Sequence, residues 1–330
     1  MAASKEKLSV LIIGCGAIAG GYDEQDMTGQ NTLGQNILGK NILGPNILSH
    51  AKAYKTHGGF DLVGCLDLDR AIAQDFAKFW GVNKAYNSLD QAMKDRNFDI
   101  VSLCTSTPSH ESYLRRLADQ GIRLIFCEKP ITDNLASARE MAALHKDNMA
   151  VNYIRRFDPD IIQLAQAIND KKYGKFLSGT ARYNKGLYNN GSHMTDLLHW
   201  LLGPMSVRSA GDIIEDFWPD DPTLSARLEP DQGGQIELIG SDVQLGMIFD
   251  LDLVFAQARI TLSDFSRRLT IQSGDGPDEQ ITTGLNRGML NAVANIYDHL
   301  AQGATLQSTA ANGLSALEIC ARIRAMAGLS

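Results

Sequence analysis

Residues 8–19 read Leu8-Ser9-Val10-Leu11-Ile12-Ile13-Gly14-Cys15-Gly16-Ala17-Ile18-Ala19, an apolar β-like run followed by Gly-x-Gly-x-x-Ala. In a strand–turn–helix unit, Gly14 permits the tight turn, and Gly16 lets backbone N–H groups approach a pyrophosphate at the helix N-terminus. The small Ala19 lets helix and strand pack closely. The motif therefore predicts a dinucleotide-binding turn, to which Ala17 and Ile18 also belong.

A second apolar run, residues 60–66, ends in Asp67. At the end of the second strand of such a fold, a carboxylate hydrogen-bonds the ribose hydroxyls of NAD and repels the 2′-phosphate of NADP. We therefore predict NAD as the cofactor, with NADP less favoured, although Arg70 nearby keeps NADP open. In the alternative interpretation, Asp67 only caps the following helix.

Further apolar runs at 99–104 and 122–127 alternate with amphipathic stretches. These runs are apolar throughout, as in parallel strands that helices cover on both faces. Residues 1–150 are therefore predicted to form a doubly wound parallel α/β domain. Ligands of such sheets bind at the carboxyl ends of the strands, which places these residues at the edge of the site: Thr105, Thr107, Pro108, His110, Glu128, Lys129 and Pro130.

The first unit of this domain carries an insert. Asp67 lies 53 positions after Gly14, where about 20 are expected. The segment, about 22–49, contains four copies of a five-residue repeat that begin at Asn31, Asn36, Asn41 and Asn46. A period of five fits neither an amphipathic helix nor a strand. Two interpretations stay open, a loop lengthened by tandem duplication and a lid or partner contact beside the cofactor turn.

Residues 151–330 are predicted to form an α+β domain with a largely antiparallel sheet. The expected helices are 159–171, 288–302 and 312–327, and the expected strands are 235–239, 243–253, 258–262 and 268–272. An apolar stripe at helical spacing also predicts a helix that Ser192 caps and Gly203 ends. His193 then lies in its first turn, where Asp196 can orient it. His193, Asp196 and His199 do not converge on one ion, and no metal is expected.

Composition narrows the function classes. The chain has 31 Lys and Arg against 38 Asp and Glu, for a formal charge of −7, and phosphate neutralisation by a basic face is not expected. No apolar run reaches the roughly 18 to 20 residues of a membrane span. The five cysteines show no paired or metal-like spacing. We therefore expect a cytoplasmic protein with a small-molecule substrate, bound to neither nucleic acid nor membrane, and interpret Ala17-Ile18-Ala19 as part of the turn rather than a signal-peptidase site.

Four motifs in order resemble the glucose-fructose oxidoreductase, inositol dehydrogenase and rhizopine catabolism (Gfo/Idh/MocA) family: Gly14-x-Gly16-x-x-Ala19, Glu128-Lys129-Pro130, Arg155-Arg156-Phe157 and Gly191-Ser192-His193-x-x-Asp196. The resemblance implies an N-terminal Rossmann domain and a C-terminal domain whose sheet forms a dimer or tetramer interface. It also implies an NAD(P)-dependent oxidoreductase that transfers hydride to or from a carbinol or carbonyl carbon of a sugar, polyol or nucleotide sugar. The wording of the motifs is most similar to members associated with bacterial surface-sugar biosynthesis.

The resemblance also assigns roles. Lys129 corresponds to the family's catalytic lysine and His193 to its catalytic histidine, and both are acid/base candidates. A free lysine is too basic for this work, but desolvation lowers its pKa. The substrate-binding candidates are Tyr153, Arg155, Tyr183, Lys185, Asn189 and His193. Many members carry Asp where this chain has Asn189, so a proton relay through that carboxylate is lost. The alternatives are an NAD-retaining glycosidase and a non-enzymatic dinucleotide or sugar sensor.

Overall fold

The computed structural model describes residues 7–27, 46–274 and 276–329, which form two compact units. Within the described residues, the first unit extends to Phe157 and also includes Asn286–Ala311, and the second comprises Asp158–Leu285 and the residues from Asn312 onward. The sequence analysis placed everything after residue 150 in the second domain. Residues 286–311 return to the first unit because Met289, Val293 and Ile296 are buried in its core.

The first unit is built on a six-stranded parallel sheet, with order β3-β2-β1-β4-β5-β6. This is the strand order of dinucleotide-binding doubly wound sheets, and it confirms the predicted fold. The central strands are fully buried, as expected for a sheet covered on both faces. The strands are β1 (Leu8–Ile13), β2 (Phe60–Leu66), β3 (Ala85–Tyr86), β4 (Ile100–Leu103), β5 (Leu124–Cys127) and β6 (Met149–Val151).

Seven helices of the described residues surround this sheet. They are α1 (Tyr22–Met27), α2 (His50–His57), α3 (Arg70–Trp80), α4 (Leu89–Asp95), α5 (His110–Leu117), α6 (Leu135–Leu144) and α9 (Gly288–Gln302). The side chain of Asp69 caps α3 by accepting a hydrogen bond of 2.8 Å from the N–H of Ala71. Asp69, and not Asp67, therefore caps this helix, so the alternative interpretation that Asp67 only caps the helix is wrong.

Most of the predicted insert, residues 28–45, lies outside the described residues. The segments on its two sides are joined by Asp23, which is 1% exposed. Its carboxylate accepts hydrogen bonds from the N–H groups of Leu48 (3.1 Å) and Ser49 (2.8 Å) and from the Ser49 hydroxyl (2.5 Å). Burial raises the pKa of Asp23 in spite of these donors.

The second unit contains an eight-stranded sheet, with order β14-β13-β12-β11-β7-β10-β9-β8. All neighbours are antiparallel except β7 and β10, which confirms the predicted α+β class. The strands are β7 (Phe176–Tyr183), β8 (Met205–Trp218), β9 (Asp221–Pro230), β10 (Gln235–Gly240), β11 (Phe249–Phe255), β12 (Arg259–Ser263), β13 (Arg268–Gln272) and β14 (Glu279–Thr282).

The core of this unit lies between one face of the sheet and three helices, α7 (Pro159–Asn169), α8 (Ser192–Leu202) and α10 (Ala310–Met326). Alternate residues of β11, such as Leu251 and Leu253, are buried against them. Two predictions were wrong here. Residues 243–245 form a 3-10 turn before β11. Ser192 does not cap α8, because a π-helical turn (Gly186–Gly191) runs directly into the helix and the Ser192 hydroxyl donates to the Asn189 carbonyl.

None of the described helices is long and apolar enough to cross a lipid bilayer.

Candidate active site

Gly14 makes the turn that the motif predicts. Its φ of +86° lies in the left-handed region, and a Cβ atom there would lie 2.8 Å from the carbonyl carbon of Cys104 at the end of β4. Its N–H donates to the Leu66 carbonyl at 2.7 Å. Gly14 therefore closes the turn between three strand ends, where no side chain fits.

Gly16 has a different role from Gly14, since no atom lies within 4 Å of the position of its Cβ. The chain then forms a π-helical turn (Ala17–Gly21), in which the N–H groups of Gly20 and Gly21 both donate to the Gly16 carbonyl at 3.2 Å. Ala19 is fully buried, as the packing argument requires. Open space beside Gly16 is what a phosphate needs to approach the backbone.

Asp67 follows β2 and is partly exposed. Its carboxylate accepts hydrogen bonds from the N–H of Cys15 at 2.8 Å and from the N–H of Asp69 at 3.0 Å. The Cys15 bond joins the glycine turn to the end of β2. Asp67 is thus fixed next to the turn, in the position from which a carboxylate reaches ribose hydroxyls.

A cavity of about 520 Å³ opens at this edge of the parallel sheet. It is lined by Gly14, Gly16, Asp67, Leu68, Cys104, Thr105, Ser106, Ser109, Ser112, Tyr113 and Arg116. Thr107 and Pro108 lie in the adjoining 3-10 turn and are not among the lining residues. The glycine turn, the open space at Gly16 and the fixed carboxylate fit a dinucleotide, and these residues would hold NAD here.

Glu128 is buried and its carboxylate is engaged within the protein. Oε1 accepts hydrogen bonds from His50 Nε2 at 2.8 Å and from Asn152 Nδ2 at 2.7 Å. His50 Nδ1 lies 3.2 Å from Ser102 Oγ, which lies 2.8 Å from the Tyr54 hydroxyl. Burial opposes ionisation of Glu128, but the bonds from His50 and Asn152 hold its pKa below the ordinary value. These five side chains form the Glu128 network, and they place Glu128 in the interior rather than on a cofactor surface.

His110 is also interior. It is fully buried, with Nδ1 at 3.0 Å from the Pro130 carbonyl and Nε2 at 3.0 Å from the Thr105 carbonyl. Burial lowers its pKa. The ring therefore connects the chain after β4 to the chain after β5. Lys129 lies in that second segment, is partly exposed, and precedes Pro130 through a cis peptide bond.

Tyr153 and Arg155 follow β6 and are 1% and 3% exposed. Arg155 belongs to a 3-10 turn (Ile154–Phe157) in the first unit. The structure thus places Lys129 just beyond the carboxyl end of β5, where the sequence analysis expected it, and Tyr153 and Arg155 just beyond β6, a strand that no sequence pattern had located.

The remaining candidates lie between β7 and α8 in the second unit. The Tyr183 hydroxyl donates to the Leu224 carbonyl at 2.7 Å and accepts from the Leu224 N–H at 3.0 Å. Because Tyr183 is fully buried, burial raises the pKa of its hydroxyl. These contacts make Tyr183 a core residue. Lys185 and Asn189 lie in the loop and π-helical turn that follow, and His193 is partly exposed in the first turn of α8.

Comparison with known proteins shows what the chain is similar to. The model of the oxidoreductase family with an NAD-binding Rossmann fold, GFO_IDH_MocA, matches residues 36–154. Inositol 2-dehydrogenase of Rhizobium meliloti (strain 1021) is 24% identical over 310 residues, which are 84% of this chain and 93% of that protein. Over residues 36–154 the chain thus matches the Gfo/Idh/MocA family, whose description is that of NAD-binding oxidoreductases.

Solved structures share the fold of almost the whole chain. Levoglucosan dehydrogenase in complex with NADH and levoglucosan has a TM-score of 0.80 at 14% identity, with 98% of both chains covered. The WlbA dehydrogenase from Bordetella pertussis in complex with NADH and UDP-GlcNAcA has a TM-score of 0.78 at 17% identity, with 99% of this chain and 97% of that chain covered. At these identities the similarity shows the fold.

Sequence reasoning missed three residues that shape the candidate sites. His50 bonds to Glu128, and Asp216 and Asp221 accept hydrogen bonds from the loop that carries Lys185 and Asn189. The only sequence signal for His50 was its place in the His50-Ala51-Lys52-Ala53-Tyr54 wording. No pattern marked the two aspartates, because both belong to the unpredicted β8–β9 hairpin.

Proposed function

We propose that the protein oxidises or reduces a carbinol or carbonyl carbon of a sugar, polyol or nucleotide sugar with NAD. The observation that carries the proposal is the cavity in which Gly14, Gly16 and Asp67 stand together at the carboxyl edge of a 3-2-1-4-5-6 parallel sheet. The related inositol 2-dehydrogenase and the structurally similar levoglucosan and UDP-GlcNAcA complexes support a polyhydroxylated substrate.

Lys129 and His193 are the proposed acid/base groups. Bound NAD supplies the hydride acceptor, and NADH the donor in reverse. The chain's own residues must take the hydroxyl proton during oxidation and return it during reduction. A half-buried lysine and a partly exposed histidine are suited to this exchange, because neither residue is fully buried. Positioned general acids and bases typically contribute about 10²- to 10⁴-fold in rate.

The other candidates divide into two groups. Tyr153, Arg155, Lys185 and Asn189 are proposed to position substrate, and Thr105 to contact the cofactor beside the glycine turn. His110, Glu128 and Tyr183 are proposed to act structurally, because their polar atoms are engaged inside the protein.

Asn189 supports an altered proton path. Its Nδ2 donates to the Lys185 carbonyl at 3.0 Å, and its N–H donates to Asp221 at 2.8 Å. An ionised aspartate in its place has no proton to donate to that carbonyl. We propose that the asparagine is part of the loop structure and that no carboxylate relay operates through this position.

The outer face of the eight-stranded sheet is the proposed oligomer interface. It presents charged pairs in rows, including Arg227 with Glu237 at 2.7 Å and Arg259 with Asp252 at 2.6 Å. A cytoplasmic location is proposed because all five cysteines are buried and unpaired.

The experiment follows NADH absorbance with NAD and a panel of polyols, free sugars and UDP-sugars. Lys129→Ala and His193→Asn are expected to lower kcat by about 10²- to 10⁴-fold, with NAD affinity retained. Lys146→Ala is the control, because Lys146 is 75% exposed. An unchanged rate in Lys129→Ala would exclude that lysine from the mechanism. Glycoside cleavage without NADH accumulation would favour the retaining glycosidase, and NAD binding without turnover the sensor.

A further inference from the structure

Lys185 has an ammonium group beside an aromatic ring. Its Nζ lies 4.4 Å from the centroid of the Phe217 ring, and the side chain is partly buried. Among the residues that the structure describes, no carboxylate forms an ion pair with it. Lys84 provides the contrast, since its Nζ lies 5.1 Å from the Tyr86 ring and also 2.8 Å from Asp95.

The backbone of Lys185 is held in an unusual conformation. Its φ of +68° and ψ of 44° are in the left-handed region, which is unfavourable for a non-glycine residue. Asp216 supports it by accepting a hydrogen bond from the Lys185 N–H. The same carboxylate accepts from Thr223 Oγ1 at 3.0 Å and from the Val243 N–H at 3.3 Å. The oxygens of Asp216 are therefore engaged with these donors.

A second carboxylate fixes the turn that follows. Asp221 accepts hydrogen bonds from the N–H groups of Tyr188 and Asn189, each at 2.8 Å. A Cβ at Gly186 would lie 2.3 Å from Asp221 Oδ2, so the turn packs directly against this carboxylate. Asp216 and Asp221 together hold the backbone from Lys185 to Asn189 and leave the Lys185 ammonium directed at Phe217.

Two aromatic rings lie at the tip of the β8–β9 hairpin, and Phe217 is the one that contacts this cation. Phe217 and Trp218 are 48% and 47% exposed, and their centroids are 4.8 Å apart at an interplanar angle of 77°. Aromatic rings with a polar group beside them are enriched at binding surfaces. Here the polar group is the Lys185 ammonium, which the face of the Phe217 ring attracts.

We propose that Lys185, held against the ring of Phe217, binds a negatively charged group of the sugar substrate. That group is a carboxylate, as in a uronic acid, or a phosphate, as in a nucleotide sugar. Asp216 lies near enough to favour the charged form of Lys185, but it forms no ion pair with the ammonium within the described part of the chain. A partly buried cation in this situation gains from a bound anion. The substrate class would then be an anionic sugar rather than a neutral polyol. The inference rests on the proposed sugar oxidoreductase function.

Isothermal titration in the presence of NAD tests the proposal with four probes: UDP-N-acetylglucosamine, glucuronate, N-acetylglucosamine and myo-inositol. At least one anionic probe is expected to bind, and Lys185→Met is expected to weaken it about 10- to 100-fold. Lys185→Arg should restore most of the affinity. Lys172→Met is the matched control, because Lys172 also lies over a ring, 5.5 Å from the centroid of Tyr173. The affinities of the two neutral probes should not change.

The wild-type protein offers a measurement that needs no substitution. Affinity for the anionic probe should fall as salt rises, while affinity for a neutral probe stays constant. If Lys185→Met loses binding of UDP-N-acetylglucosamine alone, the group that Lys185 binds is the phosphate. If it loses binding of glucuronate alone, the group is the carboxylate. Absence of anion binding in the wild type, or equal binding by Lys185→Met, overturns the inference. The proposed function is tested by a different measurement, the formation of NADH. NADH can form from neutral polyols even if Lys185 binds no anion, and an anion can bind even if no NADH forms.

Discussion

Replacing Glu128 with alanine should strongly destabilise the first unit. Its side chain is 11% exposed and that of its partner His50 is 0% exposed, so the interaction is almost entirely removed from water. Glu128 Oε1 accepts from both His50 and Asn152. The substitution would leave two buried donors, His50 Nε2 and Asn152 Nδ2, without their acceptor.

The expected loss is about 2–6 kcal/mol in the free energy of unfolding, because each of the two buried groups left without a partner costs about 1–3 kcal/mol. The total free energy of unfolding of an ordinary domain is only about 5–15 kcal/mol. The double variant Glu128→Ala, His50→Ala should lose less stability than the sum of the two single losses, because it no longer contains a His50 ring without an acceptor.

Urea unfolding followed by Trp80 fluorescence measures this loss. The chain has three tryptophans, and Trp200 and Trp218 belong to the second unit. A background with Trp200→Phe and Trp218→Phe leaves Trp80, which is 6% exposed in the first unit, as the reporter. Lys84→Ala is the control, because its pair with Asp95 is exposed and should contribute about 0.2–1 kcal/mol.

The effect should depend on pH in one direction. The bonds from His50 and Asn152 outweigh burial and hold the pKa of Glu128 below its ordinary value. A carboxyl with a lowered folded-state pKa contributes stability that is complete above its unfolded pKa of about 4.3 and disappears as pH falls through the folded value. The difference between wild type and Glu128→Ala should therefore be largest near neutrality. A loss at pH 7 no larger than that of Lys84→Ala would refute the reasoning.

Two further predictions concern the sites. Gly14→Ala should lower both the Tm and the NAD affinity, because a Cβ there would lie 2.8 Å from the backbone. Gly16→Ala should keep its Tm, because no atom lies within 4 Å of the new Cβ. Its NAD affinity should fall at least about tenfold, since that Cβ would face the phosphate. Thermal melts with NAD titration separate these outcomes, and equal Tm losses would contradict them. Tyr183→Phe should cost about 1–2 kcal/mol of stability, through two lost hydrogen bonds to Leu224, with KM unchanged; a raised KM at unchanged stability would return Tyr183 to the substrate site.

The elements that could be predicted from the sequence are those with an unbroken local pattern. The uniform apolar run of β2 (Phe60–Leu66) and the alternating β13 (Arg268–Gln272) were located to the residue. The β8–β9 hairpin was missed. β8 is an edge strand whose residues are mostly exposed, so it alternates only irregularly between apolar and polar positions. Its pattern is that of a loop, although its backbone is paired with β9.

The cofactor residues could be predicted from the sequence for a similar reason. Gly14, Gly16 and Asp67 act through conformation or charge at fixed points of a repeated strand–helix unit, so residue type and order identify them. Glu128 was assigned to the cofactor because it ends a strand. Its real partner, His50, lies 78 positions away in sequence, and only the packing of α2 against the sheet reveals that the carboxylate is turned inward.

The loop before α8 shows the limit of pattern reasoning more clearly. Asp216 and Asp221 accept hydrogen bonds from backbone N–H groups, which every residue except proline provides. The side chains of the loop therefore do not indicate that a carboxylate binds it. The rule that positive φ requires glycine also fails at Lys185, where φ is +68°. A lysine is held in that conformation because Asp216 binds its N–H, which places the ammonium on Phe217. The position of this cation therefore depends on a hairpin more than 30 residues further along the chain.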